Sequence, residues 1–320
     1  MHSHDDSHLE PSQPFPLLVF TLATGFQVAL TAALYYWIAP GTFRAELAHP
    51  GMIVLCTFLL GIPLSLFEYL YHRYLLHSAI LPFLGAMHRA HSTHHGLTSV
   101  KAPVRPNEPD LMVPVKSEYP VEHHHQEESM AFPLYSIAIF QLIFNLLLGI
   151  PLKLLFPQMP WMIATIAAVT LAYSGYELWH AILHLSFDRF WKPLMEHKTV
   201  GKTVSRIYAF HLMHHWRPVT NLAVVGFWGF AVWDYVFRTH KRPVNLPLDE
   251  ARVNYADAVL DTPAWPVSSI DKVQARMFKG SRRIEQSLLR AFRSSKPDRA
   301  EEETPKAITL PSAPKIIPEE

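Results

Sequence analysis

The sequence predicts an all-α, polytopic membrane protein: four transmembrane helices in two hairpins, with a cytoplasmic helical cap that gathers a histidine-rich site. Three observations carry this expectation. Residues 15–39, 51–67, 130–152 and 154–176 contain no Asp, Glu, Lys or Arg, and roughly 20 apolar residues suffice to cross a ~30 Å hydrocarbon core. Half of the 20 histidines fall into four short groups, each where an apolar segment meets a polar one. Positive charge is also lopsided. Arg73, Arg89, Lys101, Arg105 and Lys116 lie between the hairpins, and Arg189, Lys192, Lys198, Lys202, Arg206 and Arg217 follow the fourth segment. The opposite side offers Arg44 and Lys153. Cytoplasmic loops carry the excess of Lys and Arg, so both termini and all four histidine groups are expected in the cytoplasm, at a bacterial inner membrane or the endoplasmic reticulum.

Composition narrows the functions. A net charge of +1 argues against nucleic acid as a general partner. Cys56 is the single cysteine, which excludes a disulfide or a Cys-based zinc site within one chain.

Taken in order, residues 1–14 form a disordered lead-in, acidic and carrying His2, His4 and His8. It lacks the positive flank of a secretory signal, so the segment from Phe15 to Ile38 is expected to be an uncleaved span. Tyr35-Tyr36-Trp37 suits an interfacial belt. A loop carrying Arg44 and Glu46 leads to His49-Pro50-Gly51. That triplet matches the haem-ligand turn of cytochrome b5, but such a module needs a soluble domain around the turn; a solvent-facing histidine is the reading here. The second segment, Met52 to Tyr71, reaches spanning length by extending into Glu68-Tyr69-Leu70-Tyr71 and delivers His72 and His77. Residues 101–128 carry Pro103, Pro106, Pro109, Pro114 and Pro120, which is turn chemistry. The third and fourth segments join near Pro157-Gln158-Met159-Pro160, and the fourth ends in His180 and His184. Pro218 to Phe237 is apolar but short and interrupted by Asn221 and Asp234; a buried or re-entrant helix capping the site is expected. Residues 15–240 thus form a membrane-embedded domain, and 241–320 a Pro-rich, basic tail. Within the tail, 270–292 interleaves an apolar stripe with Lys and Arg, the pattern of a helix lying on an anionic leaflet or packing loosely on the domain. Residues after Ser295 have a disordered composition.

The histidine spacing is helical. Residues four apart differ by about 40° around a helix, so His180 and His184 share a face. His91, His94 and His95, like His211, His214 and His215, cluster at i, i+3 and i+4. His72 and His77 lie about 140° apart on an ideal helix, so one of them is expected at or past the helix end. His88 precedes the second group by three residues and is assigned a supporting role. His123-His124-His125 sits among Glu122, Glu127 and Glu128 and reads as a solvated run. Neutral imidazole is the commonest metal ligand, and ten are too many for one ion. Two ions fit, and imidazole suits both zinc and iron. Glu68, Glu177 and Asp234 lie close to the groups and are candidates for orienting imidazoles.

His72-Arg-Tyr-Leu-Leu-His77, His91-x2-His94-His95, His180-x3-His184 and His211-x2-His214-His215 resemble the histidine boxes of the fatty acid hydroxylase/sterol desaturase superfamily. The flanking Glu68-Tyr69-Leu70-Tyr71 and Trp233-Asp234-Tyr235-Val236-Phe237-Arg238-Thr239 are similar to that family's patterns, with fatty acid 2-hydroxylases the nearest in look. The resemblance spans about residues 50–240. It implies a non-haem di-iron oxidoreductase that uses O2 to hydroxylate a C–H bond of a bilayer lipid, with iron the expected metal and zinc able to occupy the site in isolated protein. A fused electron-transfer domain is absent from this sequence, so a separate cytochrome b5-like or ferredoxin-like donor is implied. An apolar slot between spans, lined by Phe67, Tyr173 or Trp179, would hold the substrate. The same site run as a desaturase, or a histidine-rich membrane metal transporter, are the alternative readings.

Overall fold

The computed structural model describes residues 15–78, 80–81, 85–96, 111–112, 129, 131–242, 252–253 and 259–294. The expectations for residues 1–14, for most of 101–128 with its histidine triplet, and for the chain after Ser295 lie outside these.

Prolines mark the starts of several helices. Helix α1 (Leu17–Ile38) stops at Ala39, and Pro40 opens α2 (Pro40–Leu47) at a position where its missing N–H is no loss. The expected loop around Arg44 and Glu46 is therefore a short helix. It buries Glu46, which accepts from the Ile163 backbone N–H at 3.0 Å and pairs with Lys153 at 2.8 Å. His49 is exposed before Pro50, which begins α3 (Pro50–Tyr71). A π-helical turn, His72–Leu76, continues α3. Helix α4 (Gly85–Gly96) carries the second histidine group. Helix α5 (Ser136–Phe144), a π turn and α6 (Ile150–Leu155) make one apolar rod. After the turn at 156–160 comes α7 (Trp161–Leu183). A further π turn, Phe187–Trp191, and α8 (Lys192–Met195) lead to α9 (Gly201–Trp216), which carries the fourth histidine group.

Among the described residues, three helical stretches are long and apolar enough to cross a membrane: Leu17–Ile38, Pro50–Leu76 and Ser136–Leu155. Their outer faces expose Leu18, Phe26, Val54, Leu147 and Leu154, a pattern that needs an apolar surrounding. Helix α7 has 23 residues, but its second half carries Tyr173, Ser174, Tyr176, Glu177 and His180 and dilutes its hydropathy. It packs along α3 as the central pair of the fold. Phe20, Cys56, Leu60, Leu64, Ile137, Phe144, Ala168 and Val169 form the core where α1, α3, α5 and α7 meet.

The cap differs from expectation. Between Pro218 and Phe237 the α-helix is confined to α10 (Val232–Val236). The rest is turns, because the amides of residues 222–226 bind carboxylates instead of closing a helical ladder. Gly226 has φ +59°, and a Cβ there would meet the Phe230 carbonyl. The turn lies against the middle of α3: the Trp228 indole donates to the Phe58 carbonyl at 3.0 Å and covers Gly61. Leu111–Met112 (β1) and Arg252–Val253 (β2) form a two-residue antiparallel pair. The last helix, α11 (Val267–Ser294), is longer at each end than the stripe at 270–292.

Candidate metal centre

All ten box histidines converge, in two groups of five. His72, His77, His91, His95 and His214 form one, and His94, His180, His184, His211 and His215 the other; within each group the ligating atoms lie within 4.8 Å of one another. The groups cut across the boxes. On α4 the i, i+4 pair His91 and His95 faces the first group, while His94, turned aside by the helical repeat, faces the second. On α9 the assignment reverses: His211 and His215 face the second group and His214 the first. Each H-x2-H-H motif therefore contributes to both.

The π turn explains how His72 and His77 act together. Their five-residue spacing would splay them on an α-helix. Here the His77 N–H reaches the His72 carbonyl at 3.2 Å, an i→i+5 bond, and the two rings stack with centroids 5.1 Å apart. π turns are frequent at functional sites.

The donor atoms fit an ion. In the first group, His91 Nε2 lies 3.1 Å from Nε2 of each of His72, His77 and His95, and His77 Nε2 lies 3.4 Å from His214 Nε2. In the second, His184, His211 and His215 Nε2 atoms are 2.8–3.1 Å apart. Nitrogens at about 2.1 Å from a common ion and about 90–110° apart are separated by about 3.0–3.4 Å. Hydrogen bonding alone does not account for this packing. The carbonyls of Leu222 and Thr220 accept from Nδ1 of His72 and His214 at 2.6 and 2.9 Å. Those neutral rings therefore direct lone pairs, not protons, into the cluster. His91 has three close nitrogen neighbours and at most one N–H to share. In the second group, His180 Nε2 is buried with no hydrogen-bond partner among the described residues. A cation in each group would compensate these lone pairs.

Burial, followed by the proximity of other imidazoles, holds His77, His91, His94, His95, His211 and His215 well below the usual histidine pKa. Burial lowers His214 to about 4, against a partial opposing effect of the Thr220 carbonyl. The rings are thus neutral at pH 7, the form that ligates metal.

The four supporting residues named from sequence lie outside the two groups. His88 donates from Nδ1 to the Leu76 carbonyl at 2.7 Å, tying α4 to the π turn. Glu68 accepts from the backbone N–H groups of Val224, Val225 and Gly226 at 2.6, 3.0 and 2.9 Å. Asp234 accepts from Leu222 and Ala223 N–H and from the Thr239 hydroxyl at 2.8–3.0 Å. Both carboxylates fix the loop whose Leu222 carbonyl orients His72. Burial pushes the Asp234 pKa up, opposed by these donors. Glu177 accepts from Phe132 N–H at 3.2 Å.

A narrow apolar cleft with a cavity volume of about 70 Å³ runs between α3, α5 and α7 and is lined by Phe67, Phe140, Phe144, Val169, Ala172 and Tyr173 among others. Its inner end is marked by Tyr176, whose ring centroid is 6.4 Å from that of His72 and 5.6 Å from that of His180. Tyr176 thus stands between the cleft and one histidine of each group. Phe67 and Tyr173 line this cleft, whereas Trp179 lines a separate groove along α9 with Arg206, His211, Lys241 and Arg242. Sequence reasoning missed Tyr176, and its position one turn before His180 is the signal that would have found it.

No family model, no curated protein and no solved structure matches the chain. The fold and site define the class: a predominantly helical protein with three helices of membrane-spanning length among the described residues and two largely buried histidine groups able to hold metal ions.

Proposed function

We propose that this chain is an integral membrane oxidoreductase that hydroxylates an unactivated C–H bond of a lipid acyl chain. The reading rests on one observation above all: an apolar cleft between long apolar helices ends at Tyr176, whose ring meets His72 of one five-imidazole group and His180 of the other. In this reading α1, α3, α5–α6 and α7 are four spans in two hairpins, with the histidines and both termini in the cytoplasm. A bound iron pair would supply the O2 and one-electron chemistry that side chains lack. The reaction consumes R–H, O2, two electrons and two protons and yields R–OH and water, the electrons coming from a separate cytochrome b5-like or ferredoxin-like donor.

The protein's own residues do the rest. Ten uncharged imidazoles would hold the ions without neutralising them. The carbonyls of Leu222 and Thr220 keep His72 and His214 in the ligating tautomer. Phe67, Phe140, Phe144 and Tyr173 line the path along which an alkyl chain is fed from the bilayer. Tyr176 sets how close the chain approaches and keeps bulk water from the groups. The test is to incubate membranes carrying iron-loaded protein, a reductant and labelled acyl lipid or sterol, and to weigh the product. Gain of one oxygen supports hydroxylation. Loss of two hydrogens makes the chain a desaturase, and metal uptake into vesicles without O2, reductant or lipid product makes it a transporter.

A further inference from the structure

We propose that α11 is an interfacial helix that seats on an anionic membrane surface and is clamped to the π turn and α4, the elements that carry four histidines of the first group. The inference rests on the reading that α1 and α3 span a bilayer. Helix α11 has 28 residues, about 42 Å of length, and at about 100° per residue its side chains fall into three strips.

The first strip is docked. Val267, Asp271, Gln274, Phe278, Ser281 and Glu285 repeat every three or four residues, with Val267 and Ser281 buried. Asp271 takes a two-pronged contact from Arg73, 3.1 Å from Nε and 2.6 Å from Nη2, and a third donation from the Tyr74 hydroxyl at 2.9 Å. Phe278 meets the ring of His88 at 6.0 Å between centroids. Glu285 lies over Gly85. Both acidic residues of the helix belong to this strip.

The second strip is apolar and uncovered: Val273, Met277, Ile284 and Leu288 are 41, 43, 51 and 37% exposed. The third is cationic, with Lys272, Arg276, Lys279, Arg283 and Arg290 all exposed. An apolar strip flanked by a basic one, with no acid outside the docked strip, is complementary to acyl chains beneath anionic head groups. The level of the helix agrees. Its first turns are pinned to Arg73 and Tyr74, the last turn of the stretch Pro50–Leu76 that is apolar enough to span. Trp265, just ahead of α11, is 79% exposed, and tryptophan favours the membrane–water boundary. Because Arg73 follows His72 and His88 sits on α4, seating of α11 bears directly on the elements that carry the first histidine group.

The experiment uses the full metal-loaded chain in nanodiscs of phosphatidylcholine, with or without phosphatidylglycerol. A fluorescent label is placed at Met277→Cys or Lys279→Cys, the native Cys56 being buried. With phosphatidylglycerol, the label at 277 should be quenched by acyl-chain nitroxides and be about tenfold less accessible to acrylamide than the label at 279. That contrast should shrink several-fold in neutral discs, and equally on the triple change Arg276→Glu, Arg283→Glu, Arg290→Glu. Equal acrylamide access at both positions overturns the proposal. So does a contrast indifferent to lipid charge and to the triple change, which marks packing on protein alone. A chain that does not stay in the discs overturns the membrane reading as well.

Discussion

Glu68→Gln tests whether the turn above the histidines is held by a carboxylate and whether that turn sets the first metal group. Oε1 of Glu68 accepts two amide protons and Oε2 a third, at 2.6–3.0 Å. A carboxylate serves all three. A carboxamide presents one oxygen and turns its NH2 against the remaining amide. One charge-assisted bond, worth about 1.5–3 kcal/mol, is lost outright, and the others lose their charge assistance. The cost, about 3 kcal/mol or more, falls on residues 222–226. The Leu222 carbonyl in that segment is what holds His72 Nδ1 at 2.6 Å. Loss of such an outer partner typically lowers metal affinity about 10–100-fold. Zinc titration of the membrane-embedded protein against a competing chelator should show that drop for one ion and a much smaller change for the other. An unchanged isotherm from a folded Glu68→Gln chain, or equal weakening of both ions, would refute the reasoning.

The crossed assignment of the boxes gives a stoichiometric prediction: His214→Ala should cost the ion of the first group and His94→Ala that of the second, each variant keeping the other ion. Anomalous scattering from zinc-loaded crystals locates the survivor, and loss of the same ion from both variants contradicts the grouping. Acidification should act in a stated direction. His214 has a folded pKa of about 4 against an ordinary 6.5, so below 6.5 the unfolded chain binds more protons than the folded one. Its contribution to stability of the metal-free chain is complete above pH 6.5 and falls by about 3 kcal/mol as the pH approaches 4. A melting temperature of the metal-free chain that stays flat from pH 7 to 4.5 would be inconsistent with this. Finally, Ala172→Phe narrows the cleft beside Phe140 and Tyr173. Products should shift toward shorter acyl chains with metal content unchanged, and an unaltered chain-length profile would remove the cleft from the substrate path.

Much of the site was legible because imidazoles at i, i+3 and i+4 can only cluster. The spacing of His91, His94 and His95 and of His211, His214 and His215 put them on common helix faces, and all six converge. What spacing could not reveal was the division of labour within a face. On one helix, neighbours some 60° apart address different ions once a second helix lies across from them. The five-residue step from His72 to His77 placed one of the pair at or past a helix end, and His77 does cap the π turn His72–Leu76; spacing alone did not show that the turn would be π and bring both rings into one group. The cap was harder still. Pro218 to Phe237 is apolar enough for a helix, yet its conformation is dictated by two carboxylates, one of them 156 residues away in sequence from the amide it binds. The long apolar runs at the start of the chain and around Ile137–Leu155 were plain from composition. Helix α7 is less so, since the polar residues that dilute its hydropathy are the ones that approach the histidines.

The crossing of the boxes also bears on why the site is built from helices at all. Helices α4 and α9 each hold three imidazoles on a rigid frame, and each frame serves both groups. Neither helix can tilt or slide to suit one ion without displacing a ligand of the other. Had each box served its own ion, four loosely related elements could adjust independently, and the separation between the ions would drift with them. Sharing couples the two positions through backbone geometry, with His72 and His77 from the first half of the chain and His180 and His184 from the second closing opposite sides. The carbonyls of Thr220 and Leu222, held by the loop that Glu68 and Asp234 anchor, then fix the tautomers of His214 and His72. The spacing of the two groups is therefore a property of the fold.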